Sequence, residues 1–290
     1  MAHIWLESFS LPSLGTREGF INDLKRTCYQ SVYPFNVFPL TEVPAFRFDP
    51  ITILCGGNGC GKSTVLHVIA QVLGLKRSAP YNRSAFFDDY AARCDCQLRG
   101  DPEAIAEGRI ITSDDVFDYL LDIRSVNSGV DRRREELFDA YDQARKDGYT
   151  FRTMADYEAL KSFNDSRRLT QSEFVRRRMG GNLAEQSNGE SALRYFTEAI
   201  QENALYLLDE PENSLSAQRQ QELVQFLTDS ARFYGCQFII ATHSPFILAT
   251  PGAKIYSLDG EPRTVRSWTE LESVRSWYDF FMKHQNEFEA

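Results

Sequence analysis

The sequence predicts an α/β fold: a mostly parallel sheet covered by helices on both faces, with an antiparallel β part at the amino terminus and an inserted helical lobe. Three observations carry this expectation. Ile51–Cys55 (ITILC) is a compact apolar run of the kind a strand buried on both faces requires, and it feeds through a glycine-rich loop into the helically spaced STVLHVIAQVLG. Further on, the apolar runs LYLLDE (205–210) and QFIIATHSP (237–245) alternate with the helix-like SAQRQQELVQFLTDSARF, which is the order of a parallel sheet. From about 125 to 182 the chain turns charged and helical with no strand signal.

Taken in order, residues 1–50 are rich in aromatics and prolines (SVYPFNVFPL, VPAFRF) and predict short extended segments rather than helices. GRIIT (108–112) reads as a strand running into DDVFDYLLDI, whose acidic start and i, i+3, i+4 apolar pattern open a helix. AKIYSLD (253–259) reads as a last strand and SVRSWYDFFMKHQNEF as a closing amphipathic helix. With 290 residues, 42% of them hydrophobic, the chain can bury a full core. It reads as a single domain over 1–290: an amino-terminal β part (1–50), a core (51–113 and 203–260), a helical subdomain (114–202) and a carboxy-terminal helix (261–290).

A net charge of −9 argues against coating nucleic acid through the overall field, although a local basic patch remains open. No apolar run reaches membrane-spanning length, so no membrane insertion is expected, and MAHIWLESFS lacks the layout of a signal peptide. The six cysteines at 28, 55, 60, 94, 96 and 236 form no disulfide framework, which fits a reduced, cytoplasmic setting. Cys94 and Cys96 have no second Cys or His pair nearby and read as small residues in a loop.

Gly56–Ser63 match G-x-x-x-x-G-K-[ST] in full, between a predicted strand and a predicted helix. Glycines let backbone amides wrap phosphate oxygens, and the following helix amino terminus adds positive field. Lys62 is placed to reach β and γ phosphates and the Ser63 hydroxyl to ligate magnesium. LYLLDEPE ends an apolar strand in Asp209 and Glu210, one carboxylate to hold magnesium and one to orient or deprotonate a water. QFIIATHSP ends in Thr242, His243 and Ser244, where the histidine can donate to a γ-phosphate or an attacking water. In EQSNGES (185–191), Ser187 and Glu190 have capping-box spacing.

The ordered set GGNGCGKST, EQSNGES, LYLLDEPENSLS and ATHSP resembles the ATP-binding cassette superfamily, as Walker A, signature, Walker B with D-loop, and switch histidine. It is more similar to the soluble branch with the SMC proteins, RecF and the overcoming-lysogenization-defect ATPases than to transporter subunits. The resemblance implies a P-loop NTPase fold, ATP and Mg2+ as cofactors, and a loop of Gly56, Gly57, Asn58, Gly59, Cys60, Gly61, Lys62, Ser63 and Thr64 around the phosphates. It implies Asp209 with Ser63 on magnesium, Glu210 as catalytic base and His243 as switch. It also implies that Ser187 and Gly189 bind the γ-phosphate held by the other protomer of a head-to-tail homodimer.

Three features depart from the superfamily pattern. The signature reads QSNGE, with Asn188 at a usual glycine. No glutamine follows GRIIT, where the chain reads Ser113-Asp114-Asp115; Asp114 is the stand-in metal or water contact, with Ser113 as rival. No adenine-stacking aromatic is identified ahead of the loop.

The helical insertion is too short and irregular for sustained heptads. It carries Arg132, Arg133 and Arg134, and Arg176, Arg177 and Arg178, which either pair with neighbouring acids or contact nucleic acid through phosphates. The functional expectation is an ATPase that dimerises on ATP and controls a nucleic acid or a separate effector protein, in DNA repair or phage defence. The alternative is the nucleotide-binding subunit of a transporter, against which the signature and the missing glutamine stand.

Overall fold

The computed structural model describes residues 3–24, 31–38, 43–100, 105, 107–146, 157–178, 188–259 and 267–289. Two compact units result, Met1–Phe117 with Asn188–Ala290, and Asp118–Ser187. The chain begins with β1 (Leu6–Ser10), α1 (Leu14–Asp23), β2 (Phe46–Arg47), β3 (Ile51–Cys55), α2 (Lys62–Leu73), α3 (Phe87–Ala91), β4 (Asp95–Leu98) and β5 (Arg109–Thr112). The helices α4 (Ser113–Lys146), α5 (Tyr157–Arg168), α6 (Gln171–Arg178) and α7 (Asn188–Ala199) follow, then β6 (Leu205–Asp209), α8 (Ala217–Phe233), β7 (Gln237–Ala241), α9 (Pro245–Leu248) and β8 (Lys254–Ser257). Two helices close the chain, α10 (Glu272–Lys283) and α11 (Gln285–Phe288).

The central sheet is five-stranded and parallel throughout, in the order β5-β6-β7-β3-β8. Every residue of β3, β6 and β7 is buried, which is why their sequences are continuously apolar instead of alternating. Each fully buried Leu, Ile or Phe contributes about 1.5–3 kcal/mol, so these three inner strands anchor the core. A separate antiparallel sheet, β2-β1-β4, pairs Phe9 with both Phe46 and Cys96.

Two elements differ from the sequence expectation. Residues 14–23 form a helix where extended chain was predicted. Ser13 caps it by accepting from Thr16 N at 3.2 Å, and its one buried residue is Arg17, which donates to Phe38 O at 3.4 Å. With a polar residue as its anchor, the helix shows no apolar stripe for sequence reading to find. Cys96 lies in a strand rather than a loop, because β4 completes the small sheet against β1. The neighbouring Cys94 donates to Tyr90 O at 3.4 Å, and burial pushes its thiol up to about 12.

The second unit has its own small core of Leu137, Tyr141, Phe174 and Val175. Tyr141 Oη donates to Leu169 O at 3.2 Å, and the Arg178 guanidinium lies 3.8 Å from the Phe174 ring centre. Among the six arginines singled out by sequence, Arg133 pairs with Glu136 (2.8 Å), Arg134 with Asp131 (2.5 Å) and Arg178 with Asp165 (3.2 Å). Arg132, Arg176 and Arg177 are exposed.

Candidate active site

Strand β3 ends at Cys55 and the chain turns through Gly56–Gly61 into α2. Gly61 has φ +98°, and a Cβ there would lie 2.8 Å from Phe38 and 2.9 Å from Val37, so both backbone and space demand glycine. Gly56, Gly57, Asn58, Gly59 and Cys60 form the preceding turn, with Asn58 exposed at its tip. The Lys62 ammonium spans this loop: Nζ donates to Gly56 O (2.9 Å) and Gly57 O (3.1 Å). Thr64, buried one residue after Ser63, shares a hydrogen bond with the Tyr33 hydroxyl at 3.2 Å.

Parallel pairing sets the other strand ends beside this loop. Asp209 closes β6 in register with Ala241 of β7 and Thr112 of β5. Its Oδ1 accepts from Ser63 Oγ at 2.9 Å across 146 residues of sequence. Burial raises the Asp209 carboxyl to about 6, against the lowering effect of the Ser63 hydroxyl. Glu210, the next residue, holds a left-handed φ of 49° with its N–H on Ala241 O (2.9 Å). A non-glycine residue in that region costs on the order of 1–3 kcal/mol and persists where surroundings over-determine it. Its carboxylate accepts from Asn213 Nδ2 (3.0 Å) and lies 3.7 Å from His243 Nε2. That imidazole nitrogen is buried and has no hydrogen-bond partner among the described residues.

Three residues that sequence reading passed over complete the frame. Glu212 Oε1 accepts from Thr242 Oγ1 (2.7 Å), His243 N (2.7 Å) and Ser244 N (3.1 Å), so one carboxylate fixes the backbone that presents His243. His67 lies one helical turn after Ser63, with Nε2 3.9 Å from Asp209 Oδ2 and its ring stacked on Tyr81 at 5.0 Å. Burial, with help from Arg77, holds this imidazole down to about 4, so it is neutral at pH 7. Asp259, just beyond β8, accepts from Gly57 N at 2.8 Å and ties the loop to the sheet's edge strand. The i, i+4 spacing of Ser63 and His67 was available in the sequence; the other two contacts depend on distant chain segments.

At the start of α4, Asp115 and Thr112 form a capping box. Asp115 Oδ2 accepts from Thr112 N (2.7 Å) and Oγ1 (2.8 Å), while Oδ1 takes Ala79 N (2.8 Å). Asp115 is thereby committed to structure, and Asp114 is left exposed two residues past the strand position registered with Asp209. Ser113 lies between them, half-buried. Gly189 stands in the first turn of α7, near Ser214 O and the Arg219 side chain. Glu190 accepts from Arg219 at 2.8 Å, whereas Ser187 and its side of the capping box lie outside the described residues.

These residues fit a magnesium–nucleotide phosphate chain. A glycine loop that a Cβ would fill, a lysine across it, a hydroxyl–carboxylate pair for a hard cation and an orphaned imidazole nitrogen converge at one end of the sheet. The raised Asp209 carboxyl also has a stability consequence. Its folded value of about 6 exceeds the ordinary 3.8, so the stability it contributes is fully present below 3.8 and lost as pH rises through 6. Asp209→Asn is expected to stabilise the nucleotide-free protein by roughly 2–3 kcal/mol at pH 8, a gain that shrinks as pH falls from 6 toward 3.8. Thermal melts of both proteins across that range check it.

A parallel sheet in this order, with a complete glycine-rich phosphate loop after one inner strand and paired carboxylates after another, is a P-loop NTPase fold. In agreement, residues 132–249 match the family described as "AAA domain, putative AbiEii toxin, Type IV TA system". No curated protein matches the chain. Among solved structures it is similar to an Smc head domain with an extended coiled coil, bound to the C-terminal domain of ScpA and derived from Pyrococcus furiosus: 14% identity, 99% of this chain and 100% of that one covered, TM-score 0.43. It is similar also to an SmcHead bound to the C-winged helix domain of ScpA (16% identity, 88% and 94% covered, TM-score 0.41). A third is the dimeric post-hydrolysis state of an ATP-binding cassette bound to ADP and Pi (14%, 79% and 90%, 0.37). The P-loop fold rests on the sheet and the loop themselves. No described helix is long and apolar enough to cross a membrane.

Proposed function

We propose that this protein is an ATP-hydrolysing dimerisation switch that controls a separate effector protein. The observation that carries the reading is the pairing of a backbone-strained Glu210 with a buried, unpartnered His243 Nε2 at 3.7 Å, beside the Ser63–Asp209 contact. Ser63 and Asp209 would hold a magnesium ion, which would supply charge neutralisation on the phosphates. Lys62 binds and orients the β and γ phosphates, Glu210 orients and deprotonates the attacking water, and His243 donates to the γ-phosphate. Exposed Asp114, in the first turn of α4 just past β5, would be the water or metal contact on that side.

Gly189, in the first turn of α7, and Ser187, just before that helix in the sequence, would complete the site of a second protomer. A helix start both caps itself and receives anions, so the two roles are compatible. Each protomer then owns two half-sites, and ATP binding closes a head-to-tail homodimer. In light scattering, ATP and magnesium are expected to double the mass of the Glu210→Gln protein, and Ser187→Arg in that background to abolish the doubling. A mass that ignores both ATP and Ser187→Arg removes the composite site.

The matching family's description, which names a toxin–antitoxin system, is compatible with the defence branch of this reading. Nucleic acid is the other candidate partner. Of the basic clusters, Arg132, Arg133, Arg176 and Arg177 are exposed, and Arg133 is paired with Glu136. Phosphate contacts through them predict DNA or RNA affinity falling about 0.7–0.9 log units per log unit of salt for each contact, and lost on reversing Arg176 and Arg177 to glutamate. Binding that is insensitive to salt and to those reversals excludes nucleic acid at this lobe.

A further inference from the structure

Helix α7 opens against the first turn of α8, and the contact between them is a charged one. A Cβ on Gly189 would lie 3.7 Å from Arg219 Cγ and 3.8 Å from Ser214 O. Glu190, the next residue, accepts from Arg219 Nη2 at 2.8 Å, while Arg219 Nη1 donates to Glu222 one turn further along α8. One guanidinium thus bridges two helices with a different nitrogen on each carboxylate. The same turn of α8 is tied to the catalytic strand ends. The Arg219 N–H reaches the Ser216 cap at 3.4 Å, and Asn213, three residues before that cap, holds Glu210 at 3.0 Å. Gln220, beside Arg219, donates to Leu215 O (2.9 Å) and accepts from Ser244 Oγ (2.6 Å), next to His243.

An ion pair between side chains that are 29% (Arg219) and 43% (Glu190) exposed adds little to the stability of a fold. Its place gives it a different consequence. Glu190 directly follows Gly189, half of the phosphate grip offered to a second protomer, so a bare carboxylate would stand next to an arriving γ-phosphate. Two negative charges repel more strongly as water leaves the space around them, and closure of a dimer interface removes that water. A guanidinium on Glu190 cancels the charge. It is always protonated, and its planar fork also fixes where the carboxylate points.

We infer, resting on the dimer reading of Gly189, that Arg219 is a positioning residue of the composite site. It acts through Glu190, holding that carboxylate neutralised and turned onto α8 so that the start of α7 can receive the γ-phosphate bound by the other protomer. The role is specific to the closed dimer: within one protomer the Arg219 side chain lies on Glu190 and Glu222 rather than on the phosphate loop.

The full chain carrying Glu210→Gln is the parent for the test. Its mass is followed by light scattering against protein concentration with ATP and magnesium, and a fluorescent ATP analogue is titrated at concentrations where the protein is monomeric. Adding Arg219→Gln is expected to raise the dimerisation midpoint about tenfold, because Glu190 is then left uncompensated. Nucleotide affinity of the monomer should stay within about twofold, since the loop shares no partner with Arg219. Raising the salt from about 50 to 500 mM should shrink the deficit through screening. Adding Glu190→Gln to Arg219→Gln should bring the midpoint back to within about threefold of the parent, whereas loss of a merely structural contact would not be repaired by removing its second member. Glu190→Gln alone should dimerise at least as readily as the parent, which decides the matter even if Arg219→Gln fails to fold. A normal midpoint for Arg219→Gln overturns the inference. So does a deficit indifferent to salt, a double variant no better than the single one, or a weaker dimer from Glu190→Gln alone. A parent that stays monomeric with ATP sinks the switch reading and this inference together, whereas a parent that doubles regardless of Arg219→Gln sinks the inference alone.

Discussion

Replacing Glu210 by glutamine is expected to lower ATP turnover by about 10²–10⁴-fold while ATP binding stays within a few-fold of the wild type, the range for loss of a positioned general base. Glutamine keeps the size of the side chain and an acceptor for Asn213 Nδ2, which now reaches Glu210 at 3.0 Å. It also pays no new backbone strain, since φ 49° is left-handed for either residue. The removed property is therefore the basic carboxylate alone. Phosphate release under single-turnover conditions, set beside equilibrium nucleotide binding, measures both halves. A loss below about tenfold would move the water-activating role away from Glu210. The adjacent His243 would then be the group to replace.

Gln237→Leu is expected to destabilise the folded protein by roughly 3–5 kcal/mol, because it strands several buried backbone groups at once. Gln237 opens β7 and is fully buried. Its Oε1 accepts from Trp5 N and Leu6 N, both at 2.8 Å, while Nε2 donates to Leu6 O (2.9 Å) and Asp49 O (3.3 Å). The side-chain amide thus stands in for a peptide group and joins the start of β1, in the antiparallel sheet, to the inner strand β7. Leucine matches the volume but satisfies none of the two N–H groups and two carbonyls. The urea midpoint should fall accordingly and Tm by roughly 6–15 °C. A change below about 1 kcal/mol would mean that water or a local shift takes over those bonds. The proposed catalytic residues lie at the other end of the strands, so any ATP turnover below the melting range should be nearly unchanged.

Much of the candidate site was legible because its parts are local. Gly56–Ser63 is one turn between a strand and a helix, Asp209–Glu210 is one strand end, and His243 another. Each announces itself in a few consecutive residues through apolar content, glycine and charge. The inner strands were legible for the same reason, since burial on both faces leaves a run with no polar interruption. Less was readable where an element is held by contacts rather than by pattern. α1 is pinned by a serine cap and Arg17, and β4 exists because β1 pairs with it. The adjacent acids Asp114 and Asp115 looked equivalent; only the Thr112 and Ala79 hydrogen bonds separate the inward one from the exposed one.

The sequence by itself determined the P-loop fold class and its local pieces, because a glycine loop between strand and helix and carboxylates at a strand end are written in contiguous residues. The tertiary structure alone decided the strand order β5-β6-β7-β3-β8 that brings those pieces to one end of the sheet. It also decided the Glu212 clamp on His243, the Asp259 tie on the loop and the Gln237 bridge across more than 200 residues. A single polar side chain in a run of sequence says nothing about which distant amide it will meet. That choice is made when the core packs and each buried donor and acceptor must find a partner.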